Sequence, residues 1–549
     1  MYAFYLAAMA SIAVLMGGCA GAPPAERATG MSPEMKAEVD AVFAWASTTT
    51  PGCSAAAARR GEVVVDAAYG AADLATGAAI TTQSVFDIGS THKQFVATAV
   101  LLLVGDGKLT LSDDIRTYIP ELPDYGHVVT VDHLLTHTSG MRDWTALLPM
   151  SAANEDALTA ILRQRGLNFR PGDEFSYSNS GYVLAKEIVA RVSGMSFGEF
   201  ADKRIFGPLG MTATRYSVDM RGDMTDRALG YERQGERWEL SMRVDENRGG
   251  GGVLSTTGDL LKWNEALTHN RLGAFVTEKL QEPARLSNGR VLGYGRGLFI
   301  EMDGDEPVYR HGGASAGYQA MLARVPKPDV SIAVLCNSGE GTDQGAFARD
   351  LLDLLAPEYA AKAREGAPPA RIAGVETAGR AGVFVSEAGD ILRIEARDGR
   401  VRVSGGPMLE TVAADRFRNP RGQLVFMSQD EFELRFVSAD AVELVTMEGH
   451  VTRYARAAYA PTTEELQALA GRYASDELET TFDVGVENGK LTVRLAHIPD
   501  RAPQFTAVAR DLYQSGQMTL RFERDGGGQV VALAYSNPAL RNVRMVRVD

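Results

Sequence analysis

The sequence predicts an α+β domain followed by two small antiparallel β-barrel-like domains, on three observations. Apolar runs of strand character stand at both ends of residues 32–358, with helical spacing between them. One antiparallel sheet, flanked by helices and carrying a helical subdomain, would therefore draw on both ends of that segment. Beyond about residue 380 short alternating strands take over, such as Ile391 to Ala396, Phe432 to Phe436 and Val442 to Thr446. An internal echo divides this part. Ala381-Gly382-Val383-Phe384-Val385-Ser386-Glu387 recurs as Ala470-Gly471-Arg472-Tyr473-Ala474-Ser475-Asp476, each copy ahead of strand pairs with Asp398-Gly399 or Asn488-Gly489 turns. Two related β-domains, 380–456 and 457–549, follow from that repeat.

Taken in order, Met35, Val39, Val42 and Phe43 carry helical spacing over Pro33 to Thr48, and Pro51-Gly52 ends it. Cys53 to Ala58 and Val63 to Tyr69 read as a hairpin turning at Arg60-Gly61. An apolar helix runs from Phe95 to Val104 and stops near Gly105-Asp106-Gly107. Residues 155–260 are mostly helical, for example Tyr182 to Ser193 and Thr257 to Leu267. Pro307 to His311, Tyr318 to Val325 and Val330 to Cys336 form a meander, with Lys327-Pro328-Asp329 as a turn, and Gln344 to Leu355 closes the domain as a helix. Residues 359–379 are a linker. Pro461 to Glu465 resembles a capped short helix between the β-domains.

Across 549 residues, 56 Lys and Arg face 70 Asp and Glu, a net charge of −14. That balance argues against nucleic acid or an anionic lipid surface as the main partner. Met1 to Met16 is apolar but shorter than the ~20 residues a bilayer span needs. It reads as an export signal ending in Met16-Gly17-Gly18-Cys19, which resembles a bacterial lipoprotein site where Cys19 would be acylated. The expectation is a signal peptide over 1–19, a tether over 20–31, and a periplasmic or outer-membrane lipoprotein; an uncleaved anchor is the alternative. Only Cys53 and Cys336 remain, read here as two buried free thiols.

Chemistry concentrates in three short stretches. Ser90 and Lys93 sit in Gly89-Ser90-Thr91-His92-Lys93, a small-residue turn opening into the apolar helix. A serine hydroxyl needs a proton acceptor to become a nucleophile, and a lysine desolvated against that helix can serve. Tyr177 and Asn179, in Phe175-Ser176-Tyr177-Ser178-Asn179, precede another helix. A phenol whose pKa a nearby ammonium lowers can act as base or acid, and a carboxamide can hold the lysine or a substrate carbonyl. Tyr309-Arg310-His311-Gly312-Gly313-Ala314 lies on the first meander strand, where glycines admit close approach of a substrate backbone and His311 offers a donor. Each stretch alone is common. His133 and His137, four apart, have a spacing that can ligate zinc, but no third ligand accompanies them, so they read as structural. His92 should face away from Ser90 and Lys93, and Gly249 to Gly252 reads as a cleft-edge loop.

The order Ser-x-x-Lys, Tyr-x-Asn 87 residues on and His-x-Gly 134 further resembles the serine β-lactamase and penicillin-binding-protein family, closest to its class C-like branch with esterases and D-aminopeptidases. Leu109 to Asp114, His133 to Gly140, Gly251 to Thr256 and Trp263 look like that family too, and the likeness covers about 32–358. The resemblance implies an acyl-enzyme hydrolase without metal or cofactor. Ser90 would be the nucleophile and Lys93 its proton acceptor. Tyr177 would assist as general base and protonate the leaving group, Asn179 would position, and the backbone N–H groups of Ser90 and Ala314 would form the oxyanion hole, with Gly313 and His311 lining the substrate site. His311 stands where many relatives carry lysine. A neutral imidazole there binds a carboxylate less well, against efficient β-lactam recognition. The resemblance also brings the first and last strands together, which makes a Cys53–Cys336 bridge the alternative to free thiols. The expected substrate is a small amide or ester, in the D-aminopeptidase-like reading a peptide containing a D-amino acid. A carboxylesterase is the alternative within enzymes, and a non-catalytic peptidoglycan-binding protein the alternative outside them. In D-aminopeptidases a loop of the last β-domain reaches the active site. Asp476, Glu477 and Glu479 are the acidic candidates for such a loop here.

Overall fold

Arg60 and Gly61 both take positive φ, 53° and 76°, the turn geometry that lets a two-residue hairpin keep the twist of its strands. Strands Cys53–Arg59 and Glu62–Tyr69 pair across it. In the computed structural model the described residues are 31–219, 226–241, 251–303, 306–339, 342–357, 377–397, 399–419, 431–447, 449–498 and 500–549. The segment expected to be a signal peptide, Cys19, and most of the expected tether and linker lie outside them.

The hairpin joins a six-stranded antiparallel sheet in the order Phe299–Asp303, Glu306–Ser315, Tyr318–Val325, Val330–Cys336, Cys53–Arg59, Glu62–Tyr69. Alternate residues serve opposite faces. Ala56, Ala58, Ala320, Leu322, Ala333 and Leu335 pack toward the main core, beneath helices Lys93–Gly105 and Thr257–Thr268. Ala55, Ala57, Met321, Ile332 and Val334 pack on the other face against Val39 of helix Pro33–Val42, Phe43 just beyond its end, and Ala348 and Leu351 of helix Gln344–Leu355. Both faces are covered, and the middle of the sheet holds apolar runs, Ala55 to Ala58 and Ile332 to Cys336. The first helix is shorter than its spacing predicts, ending at Val42.

Cys53 and Cys336 are direct cross-strand partners and are joined by a disulfide. This corrects the free-thiol reading: the first strand pairs with the last, and the register sets the two sulfurs opposite each other.

Beyond the linker, eight strands form an open antiparallel sheet from Gly382–Ser386 to Val451–Arg456, and eight more from Gly471–Ser475 to Leu540–Arg547 close into a barrel. The echoed segments are the first strand of each, and Thr462 caps helix Thr463–Leu469 through a capping box with Glu465. The closed barrel shares its core with Leu147, Leu148 and Ala160 of the first domain.

Candidate active site

Asp87 fixes the turn that carries Ser90. Its Oδ1 accepts the Gly89 N–H at 2.9 Å and its Oδ2 the Ser315 hydroxyl at 2.7 Å, tying the turn to the meander strand. Two glycines let the backbones touch. At Gly89, with φ 49°, a Cβ would stand 2.7 Å from Ala314 N; at Gly313 one would stand 2.0 Å from Ile88 O. The Ser90 and Ala314 amides are thereby brought to one place. Gly89–His92 is a 3-10 turn and the α-helix starts at Lys93, whose N–H bonds Ser90 O, so Ser90 precedes the helix rather than opening it.

Lys93 is 1% exposed; its Nζ donates to Ser90 Oγ at 2.9 Å and to Asn179 Oδ1 at 2.8 Å. Asn179 begins helix Asn179–Ser193, and both its backbone N–H and its Nδ2 donate to Asp143 Oδ2. Asp143 thus decides which end of the carboxamide faces Lys93. Sequence reading missed it: Asp143-Trp144-Thr145 reads as a helix cap, which accounts for Oδ1 alone.

Tyr177 stands over this pair, its ring centroid 4.8 Å from Lys93 Nζ. Its buried hydroxyl meets no partner in full hydrogen-bond geometry, and the Ser90 hydroxyl is the neighbour that favours ionisation. Burial outweighs it, with the Asp143 carboxylate adding to the effect, and the phenol pKa is raised above its usual 10. The expected lowering by an ammonium is corrected. Tyr177 holds its proton in the resting enzyme and suits the acid role rather than the base.

His311 is likewise not the free donor expected. Its Nδ1 lies 2.6 Å from Gly312 O and its Nε2 3.2 Å from Tyr294 Oη, which in turn lies 3.1 Å from His137 Nε2. Ser178 N–H donates to His137 Nδ1 at 3.0 Å. One set of tautomers satisfies the whole chain: His137 donates to Tyr294, Tyr294 to His311, and His311 to Gly312 O. Burial first, then Lys93 and Arg310, holds the His311 pKa down to about 3 against the opposing Gly312 carbonyl, so the imidazole is neutral. His137 is shifted the same way, chiefly by burial. His133 accepts the Thr130 N–H in a capping box. Both histidines of the zinc-like spacing therefore have structural partners.

Ser90, Tyr177 and Ala314 divide two spaces. The wide cleft, about 1340 Å³, runs past His311 and Gly313 to Gly405, Pro407, Glu431 and Met447 of the middle β-domain. The small chamber, about 200 Å³, is bounded by Lys93, Trp144, Asn179, Val183 and Lys186, with His92 and Gly252 also in its wall. His92 therefore borders the site, against expectation, although its Nδ1 is 2.7 Å from Gly89 O. Gly249 and Gly250 lie outside the described residues. Glu477 binds Arg142 at 2.6 Å and the Arg165 N–H, Asp476 lies 3.9 Å from Arg165, and the Glu479 carbonyl accepts the Ala152 N–H. None of the three carboxylates lines either space.

With this geometry in view, the chain belongs to the Beta-lactamase family, whose model matches residues 35–356. It is a serine hydrolase of that fold. It is 30% identical over 313 residues to penicillin-binding protein 4* of Bacillus subtilis, covering 52% of this chain and 68% of that one. It is 24% identical over 529 residues to a D-aminopeptidase of Brucella canis, covering 91% and 96% of the two chains. The octameric penicillin-binding protein homologue of Pyrococcus abyssi shares the fold, with a TM-score of 0.52 at 23% identity over 77% of this chain and 98% of that one.

Proposed function

We propose that the protein hydrolyses small amides or peptides whose acyl residue is a D-amino acid, through an acyl-enzyme on Ser90. The observation that carries the reading is the Ser90–Lys93–Asn179 hydrogen-bond chain beneath a protonated Tyr177. Lys93 in its neutral form takes the Ser90 proton as Oγ bonds to the substrate carbonyl carbon. The oxyanion meets the Ser90 and Ala314 amides. The C–N bond then breaks, the amine leaves with the Tyr177 proton, and the Lys93 proton restores the phenol. Water repeats the sequence to release the acid. Similarity over nearly the whole length of a D-aminopeptidase supports the substrate class.

Hydrolysis of D- and L-alanine p-nitroanilides tests it, with Ser90→Ala as control. Turnover of the D form alone, abolished in the control, is expected. Turnover of esters but neither anilide would move the assignment to a carboxylesterase. Failure of a serine-reactive phosphonate to label Ser90 would leave the binding-protein reading.

Export belongs to the same proposal. The Cys53–Cys336 bond supports an oxidising compartment. Membrane fractionation of the wild type against Cys19→Ser tests the lipid tether, which requires the variant to be released.

A further inference from the structure

We infer that His137 and Tyr294 are positioning residues for the reaction, forming a buried bridge that holds Tyr177 in register with the oxyanion strand. The inference rests on the acyl-enzyme reading above and gives a role to two side chains that line neither the wide cleft nor the small chamber.

His137 grips the Tyr177 stretch from both sides. Its carbonyl accepts the Ser176 N–H at 2.9 Å, its Nδ1 accepts the Ser178 N–H at 3.0 Å, and its ring lies against Tyr177 with centroids 4.1 Å apart. A backbone φ of 58°, in the left-handed region that side chains seldom adopt, accompanies this double grip.

The bridge then has one possible direction. With Nδ1 accepting, neutral His137 carries its proton on Nε2 and donates to Tyr294 Oη at 3.1 Å. At the other end Gly312 O can only accept, so His311 donates from Nδ1 at 2.6 Å and its Nε2 accepts the Tyr294 hydroxyl at 3.2 Å. A backbone group at each end thus fixes every proton, and Tyr294 both accepts and donates at the centre. Tyr182, its ring centroid 5.2 Å from that of His137, sends its own proton to Leu135 O at 2.7 Å and feeds none into the bridge. All three bridging side chains are buried, so a lost link is not made good by bulk water.

The far end matters because Gly312 and Gly313 have no side chains with which to fix the strand ahead of Ala314. Holding Gly312 O sets the Gly312–Gly313 peptide plane, while the Thr91 hydroxyl, on the nucleophile turn, donates to His311 O at 3.3 Å. One end of the bridge therefore places the Ala314 amide for the oxyanion, and the other places Tyr177 for the leaving group.

Tyr294→Phe keeps the ring and removes both central hydrogen bonds. His137→Asn tolerates the left-handed backbone but is too short to reach Tyr294. Phosphonate titration of Ser90, run to completion, counts the sites in each preparation. Each end of the bridge has its own readout. p-Nitrophenyl acetate against its thiono analogue, with sulfur in place of the carbonyl oxygen, reads the oxyanion hole, because sulfur gains little from N–H donors. Ethyl acetate against p-nitrophenyl acetate reads delivery of the leaving-group proton, which p-nitrophenolate does not need. In both variants the oxo-over-thiono preference and the ethyl-to-p-nitrophenyl ratio should each fall about tenfold or more in kcat, the scale on which a misplaced group costs rate. A purely structural role would lower every ester alike and leave both ratios unchanged, which overturns the inference, as does a change at one end alone. Ser90→Ala keeps the two readings apart. Full turnover in that variant sinks the acyl-enzyme reading, whereas a dead Ser90→Ala with unchanged ratios in Tyr294→Phe sinks the bridge alone.

Discussion

At the scale of single residues, the site separates the two proton-transfer roles by environment. Lys93 touches the nucleophile, whereas Tyr177 is kept protonated by burial. Ser90→Ala should lower kcat by at least about 10⁴-fold, and Ser90→Ala/Lys93→Ala should be little worse, because the two act as a unit. Tyr177→Phe should lower kcat about 10²-fold on an anilide and much less on a p-nitrophenyl ester, whose leaving group needs no proton. Equal losses on both substrates would argue that Tyr177 only shapes the site. His311 makes a different prediction. Folding lowers its pKa from 6.5 to about 3, so in that window the unfolded chain binds a proton that the folded one does not. Stability is therefore fully present above pH 6.5 and declines as pH falls toward 3. The urea midpoint should drop more between pH 7.5 and 5 in wild type than in His311→Asn.

At the scale of elements, local pattern was readable and long-range partners were not. The hairpin turn, strands Tyr318–Val325 and Val330–Cys336 and helix Gln344–Leu355 follow from φ-permissive residues and periodicity and stand where the sequence places them, whereas the strand read as Pro307 to His311 runs from Glu306 to Ser315. Ser90, Lys93, Tyr177 and Asn179 could be singled out because the order and spacing of their motifs resemble those of the family. Asp143 and Tyr294 could not, since their roles arise only when segments far apart in sequence meet. The same applies to the pKa of Tyr177, which depends on burial that no tetrapeptide encodes. The disulfide was half-legible: the family resemblance implied that the first and last strands meet, but only the register puts Cys53 against Cys336. It closes a separation of 283 residues, so Cys53→Ser should cost ~5–6 kcal/mol on the chain-entropy model. Denaturant unfolding of oxidised and reduced protein measures it.

At the scale of the whole molecule, the trailing domains meet the site from two sides, and Asp476, Glu477 and Glu479 of the closed barrel line neither space. The middle domain completes the wide cleft through Gly405, Pro407, Glu431 and Met447. The closed barrel grips the segment that carries Asp143. Arg142, 4% exposed, pairs with Glu477 and donates to Arg541 O, while Asp143 N–H donates to Ala539 O. Glu477→Ala leaves a buried guanidinium without its carboxylate and should cost about 3–5 kcal/mol. Because Asp143 orients Asn179, kcat should fall with it. A chain cut after residue 358 would expose Leu147 and Leu148 and should lose activity and solubility together.

The central claim is covalent catalysis at Ser90. Its most direct test is rapid quenching of the full-length protein during turnover of a p-nitrophenyl ester, followed by peptide mass spectrometry. The peptide containing Ser90 should carry the acyl mass, in a burst matching the active-site count, and Ser90→Ala should carry none. Turnover with no adduct, or an adduct on another residue that persists in Ser90→Ala, would contradict the account.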